Sequence, residues 1–220
     1  MTSSPKPSRR TMNSEEERLQ LVSTARILHD AGYSPGTSGN ISVRIGDDII
    51  VSPTGTRLGS LNADNLSMVD LNGDYISGSK PTKESVMHAA VYRARPLDRV
   101  VIHLHSPFAT ALSCLKGLNS NDALLPLTPY YIMRVGRLPI VPYFAPGEKS
   151  LAAAIEHAAH DSHAILLANH GTLVSAPTFE DACAATEEIE ATARLFFTIG
   201  ERATNTLTAR QVIELLAKFQ

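Results

Sequence analysis

The sequence predicts a layered α/β domain, in which helices pack on a sheet. Helical and strand patterns alternate along the 220 residues, with no Ser/Gly-rich linker and no internal repeat between them. Hydrophobic residues make up 43% of the chain, enough to bury a core without disulfides or a structural metal. We therefore expect one domain over residues 14–220, preceded by a flexible tail at residues 1–13 that is rich in Ser, Pro and Arg.

Six helices are predicted from apolar residues at helical spacing and from residues that start or stop helices. The first begins with Ser14 as N-cap and Glu17 at the capping-box position. Gly200 ends the fifth. The predicted helices span Ser14–Ala31, Thr82–Arg95, Phe108–Leu115, Lys149–His160, Phe179–Ile199 and Leu207–Lys218.

Five strands are predicted from short apolar or alternating runs between turn residues. The first two are separated by Gly and Asp and form a hairpin. The chain between residues 116 and 148 is interpreted as a long connection. The predicted strands span Ile41–Ile45, Ile49–Ser52, Arg99–His105, Ala164–Ala168 and Thr172–Ser175.

Charge and cysteine content narrow the classes of partner. The 20 basic and 22 acidic residues give a net charge of -2, so no strong field would attract nucleic acid or an anionic membrane. The longest apolar runs are far shorter than the roughly 20 residues that span a bilayer. Cys114 and Cys183 occur without a pairing motif, which indicates a reducing cytoplasm. The sequence thus favours a cytoplasmic protein that acts on a small molecule.

Three histidines form a candidate metal site. His103 and His105 lie two apart on a predicted strand, so their side chains share one face of the sheet. Such a pair alone is weak evidence of a metal site. His170 follows another predicted strand and precedes Gly171, which lets the backbone approach a neighbour closely. Three imidazoles with an open fourth position are the ligand set of a catalytic zinc.

The start of the second predicted helix offers groups that suit an anionic ligand. Glu84 is interpreted either as a helix cap or as a reactive carboxylate. The Thr82 hydroxyl, the Lys83 ammonium and free backbone N–H groups together suit a phosphate. The loops 36–40 and 52–55 are either turns or further phosphate cradles. His88, one helical turn after Glu84, either supports this site or packs in the core.

Five motifs in this order resemble the class II aldolase and adducin head family: GTSGNISVR, SPTG, KPTKE, HLHSP and LLANHG. The resemblance covers residues 15 to about 215. It implies a three-layer α/β/α sandwich with a central mixed, largely antiparallel sheet, assembled as a homotetramer with active sites at subunit interfaces. The implied cofactor is one Zn²⁺, or another divalent ion, per subunit.

The resemblance also implies residue roles. The zinc ligands are His103, His105 and His170, and Glu84 is an acid/base that can also touch the metal. A tyrosine from a neighbouring subunit completes the site, with Tyr130 the better match and Tyr131 the alternative. The phosphate site is formed by Asn40, Thr54, Gly55 and Thr82, to which we add Lys83.

The stretch from Ala111 to Lys149 is similar to the branch of the family that decarboxylates 3-oxo-tetronate 4-phosphate. The sugar-phosphate aldolases of the family carry a small hydroxyl residue where this chain has Lys83. The resemblance therefore implies loss of CO2 to give dihydroxyacetone phosphate through a metal-stabilised enediolate. Two alternatives are retro-aldol cleavage of a sugar phosphate and a non-catalytic, adducin-like interaction module.

Overall fold

The computed structural model describes residues 9–145 and 148–219. Its centre is a sheet of eight strands in the order β4-β3-β2-β1-β5-β8-β7-β6, in which neighbours are antiparallel except β6 and β7. This confirms the mixed, largely antiparallel sheet. The strands are β1 (Asn40–Ile45), β2 (Asp48–Val51), β3 (Ser67–Asp70), β4 (Tyr75–Gly78), β5 (Val100–Leu104), β6 (Ile140–Val141), β7 (Ala164–Leu167) and β8 (Gly171–Ala176).

Helices cover both faces of the sheet, which gives the predicted three layers. Strand side chains alternate between the two faces. For example, Ile49 packs with α2 and α5, whereas Ile50 packs with α1 on the other side. Helices α3, α4 and α6 also pack on the α1 side. The helices are α1 (Arg9–Asp30), α2 (Ser85–Ala94), α3 (Pro107–Ser113), α4 (Pro129–Arg134), α5 (Lys149–Asp161), α6 (Phe179–Ile199) and α7 (Ala209–Phe219).

Three strands and one helix were not predicted. Strands β3 and β4 and the two-residue β6 are too short or too polar to show alternation, and every residue of β4 is exposed. Helix α4 begins at Pro129, with the Thr128 hydroxyl accepting a hydrogen bond from the Tyr131 N–H. Together α4 and β6 occupy the stretch that was interpreted as a connection. Short elements of this kind depend on tertiary contacts more than on local pattern.

Two predicted helix starts differ from the structure by three residues or more. Helix α1 already includes Arg9, five residues before the predicted cap at Ser14, because residues 9–13 contain helix formers and no proline. That part of the predicted tail is therefore helical, and residues 1–8 lie outside the described residues. Helix α2 begins at Ser85 rather than Thr82. The preceding residues pair with the segment after β2 instead, since Thr82 donates its N–H to the Ser52 carbonyl.

Within the described ranges, no helix has the length and apolar character that crossing a membrane requires.

Candidate metal centre and adjoining cleft

Strand β5, at the centre of the sheet, carries His103, and His105 is the residue that directly follows the strand. His103 and His105 point to the face covered by α2, while Leu104 points into the opposite core. His103 lies directly opposite Asn40 of β1. On the other side of β5, strand β8 places Leu173 opposite His103. The ladder on both sides therefore fixes where the His103 side chain emerges.

The turn between β7 and β8 brings in the third histidine. Asn169 adopts a positive φ of 55°, the one non-glycine residue in the described part of the chain to do so. His170 follows it, and its N–H donates to the Leu167 carbonyl. A Cβ on Gly171 would lie 2.2 Å from the Leu104 carbonyl oxygen. A glycine at this position thus allows β8 to approach β5 and His170 to approach the HLH pair.

The three imidazoles converge on one point. Their ring centroids lie 4.7–4.9 Å apart, and their metal-ligating nitrogens all lie within 4.8 Å of one another. His103 Nδ1 donates to the Thr172 carbonyl oxygen at 2.8 Å, which leaves the lone pair of Nε2 directed to the cluster. His103 Nε2 lies 3.0 Å from His105 Nε2.

Burial keeps two of these imidazoles neutral. Desolvation lowers the pKa of His103 below its usual value. It also lowers the pKa of His105 to about 4, with further contributions from the charges of His103 and His170. A neutral imidazole is the form that ligates a metal. At neutral pH each of these side chains therefore offers one lone pair, which in His103 lies on Nε2 and faces the cluster.

Glu84 faces the histidines from the N-cap position of α2. Its charge lies at the helix N-terminus, but its side chain makes no capping hydrogen bond. Instead, its Oε1 lies 3.3 Å from His170 Nε2 and its Oε2 lies 3.5 Å from His103 Nε2. Burial raises the pKa of Glu84, but the hydrogen bond to His170, the charge of His103 and the hydrogen bond from Asn40 outweigh it. The net pKa lies well below its usual range, so the carboxyl group is ionised.

A cleft of about 310 Å³ opens beside His105 and Glu84. Three loops line it, and all five residues expected to bind phosphate are among them. Lys83 is the one Lys or Arg among the lining residues. The lining consists of Thr37, Ser38, Gly39, Asn40, Pro53, Thr54, Gly55, Thr82, Lys83, Glu84 and His105.

The sequence predicted a helix that starts at Thr82 with free backbone N–H groups, and the structure differs from this prediction. The Thr82 N–H is bonded to Ser52, and the Thr82 hydroxyl accepts the N–H of Glu84 at 3.3 Å. Lys83 is exposed and lies in the loop before α2. Side-chain hydroxyls and the ammonium, rather than a row of helix N–H groups, are thus the donors available here.

The residues present fit a divalent metal ion. Three convergent imidazoles, one of them oriented through its second nitrogen by a backbone carbonyl, form a donor set typical of zinc in enzymes. An ionised carboxylate lies next to them. In the structure the ligating nitrogens of the three histidines already lie close together.

The two candidate tyrosines differ sharply in exposure. Tyr131 is fully buried, and its hydroxyl donates to Asp122 at 2.8 Å. Tyr130 is 62% exposed. Both lie on α4, on the opposite side of the sheet from the cleft, and neither is among the residues that line it. Of the two, Tyr130 has the exposure needed to enter another subunit's site.

Two buried polar residues next to the site were not predicted. Ser42 forms hydrogen bonds with Tyr92 and with His88, and His88 in turn bonds to Asn40. The signal was present as spacing. Glu84, His88 and Tyr92 are four apart on a helix, and Asn40 and Ser42 are two apart on a strand. Neither pattern is informative until the helix is known to lie on that strand.

Comparison with known proteins places the fold and site in a family. The family described as "Class II Aldolase and Adducin N-terminal domain" matches residues 19–197. A protein of Escherichia coli O6:H1 named 3-oxo-tetronate 4-phosphate decarboxylase is 43% identical over 199 residues, which are 90% of this chain and 94% of that protein. An L-fuculose phosphate aldolase of Methanococcus maripaludis is 35% identical over 80% of this chain and 93% of its own length.

A solved structure agrees with this placement. YgbL from Klebsiella pneumoniae superimposes with a TM-score of 0.89 at 44% identity, covering 92% of this chain and 98% of that one. The chain therefore belongs to the class II aldolase and adducin family, as its five motifs indicated. Members of this family named as decarboxylases are among its relatives.

Proposed function

We propose that this protein is a zinc-dependent lyase that decarboxylates 3-oxo-tetronate 4-phosphate to dihydroxyacetone phosphate and CO2. The observation that carries the proposal is the convergence of three imidazoles and an ionised carboxylate beside a cleft containing Lys83. The 43% identity to proteins named for this reaction supports the choice of substrate. Both unpaired cysteines suit a cytoplasmic enzyme.

The chemistry of the substrate matches these groups. When C1 leaves as CO2, the electron pair of the C1–C2 bond moves into the C2–C3 bond, and the C3 oxygen becomes negative. A divalent ion held by His103, His105 and His170 would stabilise that charge as a Lewis acid. A proton added to C2 completes dihydroxyacetone phosphate.

The residues of this chain would bind and protonate the substrate. Glu84 is ionised beside the histidines, so it would accept a proton from solvent and deliver it to C2. Thr54, Thr82 and Lys83 would bind the phosphate at the open side of the cleft. Asn40 differs from these three residues because its amide already forms hydrogen bonds with Glu84 and His88. Its role is then to support Glu84, with one amide N–H left for a ligand.

A neighbouring subunit would complete the site in a homotetramer. Tyr130 is exposed and lies far from the cleft of its own chain, so it is available to reach the cleft of another copy. Tyr130→Phe should then reduce turnover, whereas Tyr131→Phe should mainly reduce stability. The molar mass in solution, measured by light scattering, tests the tetramer.

The decisive experiment combines metal analysis with product analysis. The purified protein should contain about one zinc per chain and release labelled CO2 from 1-¹³C-labelled 3-oxo-tetronate 4-phosphate. Retro-aldol cleavage is the second candidate, favoured by the relative named L-fuculose phosphate aldolase. Incubation with L-fuculose 1-phosphate tests it, because that substrate gives dihydroxyacetone phosphate and an aldehyde but no CO2. A metal-free, inactive protein would instead favour an adducin-like interaction module.

A further inference from the structure

A row of buried polar side chains lies between helix α2 and strand β1, behind the candidate metal centre. Glu84, His88 and Tyr92 follow one stripe of the helix, and Asn40 and Ser42 face them from the strand. His88, Tyr92 and Ser42 are fully buried, and Asn40 is 4% exposed. Polar groups at this depth cost free energy unless each one is paired. The pairing therefore shows which donors and acceptors the fold has selected.

The first two hydrogen bonds fix the orientation of the Asn40 amide. A carboxylate only accepts hydrogen bonds, so the group 2.7 Å from Glu84 Oε2 is the Asn40 Nδ2, which donates. The amide oxygen then points the other way, at 2.5 Å from His88 Nε2. An amide oxygen also only accepts, so His88 Nε2 carries the proton. His88 Nδ1 is left as an acceptor when the ring is neutral.

The remaining bonds continue in the same direction. Ser42 Oγ lies 2.7 Å from His88 Nδ1 and 2.8 Å from the Tyr92 hydroxyl. Ser42 therefore donates to the imidazole, while the single hydroxyl proton of Tyr92 faces both Ser42 Oγ and the Arg99 carbonyl oxygen, which lies 3.2 Å away. Burial, with a smaller effect of the His103 charge, lowers the pKa of His88 to about 3. The ring is neutral at pH 7, and the directed chain of hydrogen bonds runs from Ser42 through His88 and Asn40 to Glu84.

We propose that His88 is a positioning residue that acts through the Asn40 amide to hold the Glu84 carboxylate against the histidine cluster. A primary amide has nearly the same shape after a 180° rotation that exchanges its oxygen and nitrogen. In the rotated form Asn40 would present an oxygen to the Glu84 carboxylate, which repels it. The Nε2–H of His88 selects the form that donates to Glu84. The inference rests on the proposed function only in assigning Glu84 a part in turnover.

The hydrogen bond, rather than the bulk of the ring, is what this role requires. His88→Phe keeps a ring of similar size but removes the donor to Asn40. His88→Gln keeps a donor, because the Gln Nε2 group can occupy about the position of the imidazole Nε2. Val91→Ala is the matched control for lost packing. Val91 lies on the same helix and is 2% exposed, and its side chain forms no hydrogen bond to Glu84.

Steady-state kinetics on 3-oxo-tetronate 4-phosphate, measured well below each variant's melting temperature, separate the two roles. We expect His88→Phe to lower kcat roughly tenfold with KM within about twofold of the parent, because Glu84 positioning and not substrate binding is lost. His88→Gln should recover most of kcat, and Val91→Ala should keep it. All three should retain about one zinc per chain. A parental kcat in His88→Phe, or a His88→Gln variant as slow as His88→Phe, would overturn the proposal.

A second measurement does not depend on turnover. The Asn40 side-chain amide protons, assigned by their loss in Asn40→Asp, should exchange slowly with solvent in the parent and in His88→Gln. In His88→Phe they should exchange at least about tenfold faster, because the amide is no longer locked. Equal exchange in all three proteins would overturn the proposal. If the parent does not turn over the substrate, the proposed function fails while this measurement still decides the role of His88.

Discussion

Two largely buried carboxylates on opposite sides of the sheet have very different partners, which suit structure in one place and chemistry in the other. Glu190 of α6 is 4% exposed and accepts hydrogen bonds from the Ser106 hydroxyl and from the N–H groups of Phe108 and Ala109, all at 2.7–2.8 Å. Glu84 accepts one hydrogen bond at this distance, from Asn40, and faces two histidines.

The difference lies in the partners more than in the burial, since the Glu84 side chain is only 13% exposed. The three donors of Glu190 are fixed groups at the start of α3, so this carboxylate neutralises a helix end. The partners of Glu84 are imidazole nitrogens, which can exchange protons or bind a metal. A carboxylate with unused acceptor capacity beside such groups is the reactive one. Variants that disrupt one of these two sites and leave the other intact test this difference.

The largest expected effect is the loss of the metal centre. Replacing His103, His105 or His170 by Ala should abolish both zinc binding and turnover, because two imidazoles hold the ion with too little affinity and the wrong geometry. Folding should survive, since a domain of this size does not depend on a catalytic metal. Metal content by mass spectrometry and the circular dichroism melting curve check both parts.

His157→Ala is the matched control for these variants. His157 is exposed on α5, away from the cluster, so the variant should keep its zinc and its turnover. A ligand variant that retained stoichiometric zinc and parental turnover would contradict the assignment of the site.

The second prediction concerns Glu84→Gln, which should lower kcat by roughly 10² while KM changes little. The amide keeps the shape of the side chain but cannot exchange a proton at neutral pH. The free energy of unfolding should change by less than about 1 kcal/mol, because Glu84 does not cap its helix. Parallel kinetics and chemical denaturation measure the two effects. A variant that lost stability but kept its turnover per folded molecule would show that Glu84 is structural.

The third prediction is the reverse pattern for Glu190→Gln. Whichever way the new amide is oriented, its NH2 group faces a backbone N–H, so at least one buried donor loses its acceptor. We expect a loss of about 2 kcal/mol in the free energy of unfolding, with kcat per folded molecule within about threefold of the parent. Denaturant titration and active-site-normalised kinetics check this. If Glu190→Gln lowered kcat as strongly as Glu84→Gln, the contrast between the two carboxylates would fail.

The sequence predicted the elements that carry long patterns and the residues that carry rare chemistry. Helix α6 was predicted with its observed bounds, Phe179–Ile199, because capping residues, apolar spacing and Gly200 all agree there. The HLH pair was placed on one face because a strand has a period of two. The histidine of the later NHG motif was singled out because it lies where a strand ends.

The elements that were missed depend on distant parts of the chain. Segment 80–84 reads as a helix start, but its hydrogen bonds to the residues after β2 hold it extended. Glu84 was consequently left with two interpretations, and the structure adds the contact with Asn40, which local sequence does not show. Strand β6 exists only because β7 pairs with it over two residues. No local pattern contains such information.

The smallest expected effect belongs to Lys83, the one Lys or Arg along the cleft. Lys83→Met should raise KM about tenfold and leave kcat nearly unchanged, because a cation that holds the phosphate equally in the ground and transition states contributes uniform binding. The KM defect should shrink for a substrate analogue without the phosphate. Initial-rate kinetics with both compounds measure it.

Lys80→Met is the control, since it removes the same charge three residues away from an exposed position that does not line the cleft. Its KM should stay within about twofold of the parent, which separates a local contact from a general loss of positive charge. A fall in kcat at unchanged KM in Lys83→Met would place the ammonium at the departing carboxylate instead. Lys83 would then belong with Glu84 in the reaction itself, and the cleft would bind its phosphate through the hydroxyls of Thr54 and Thr82.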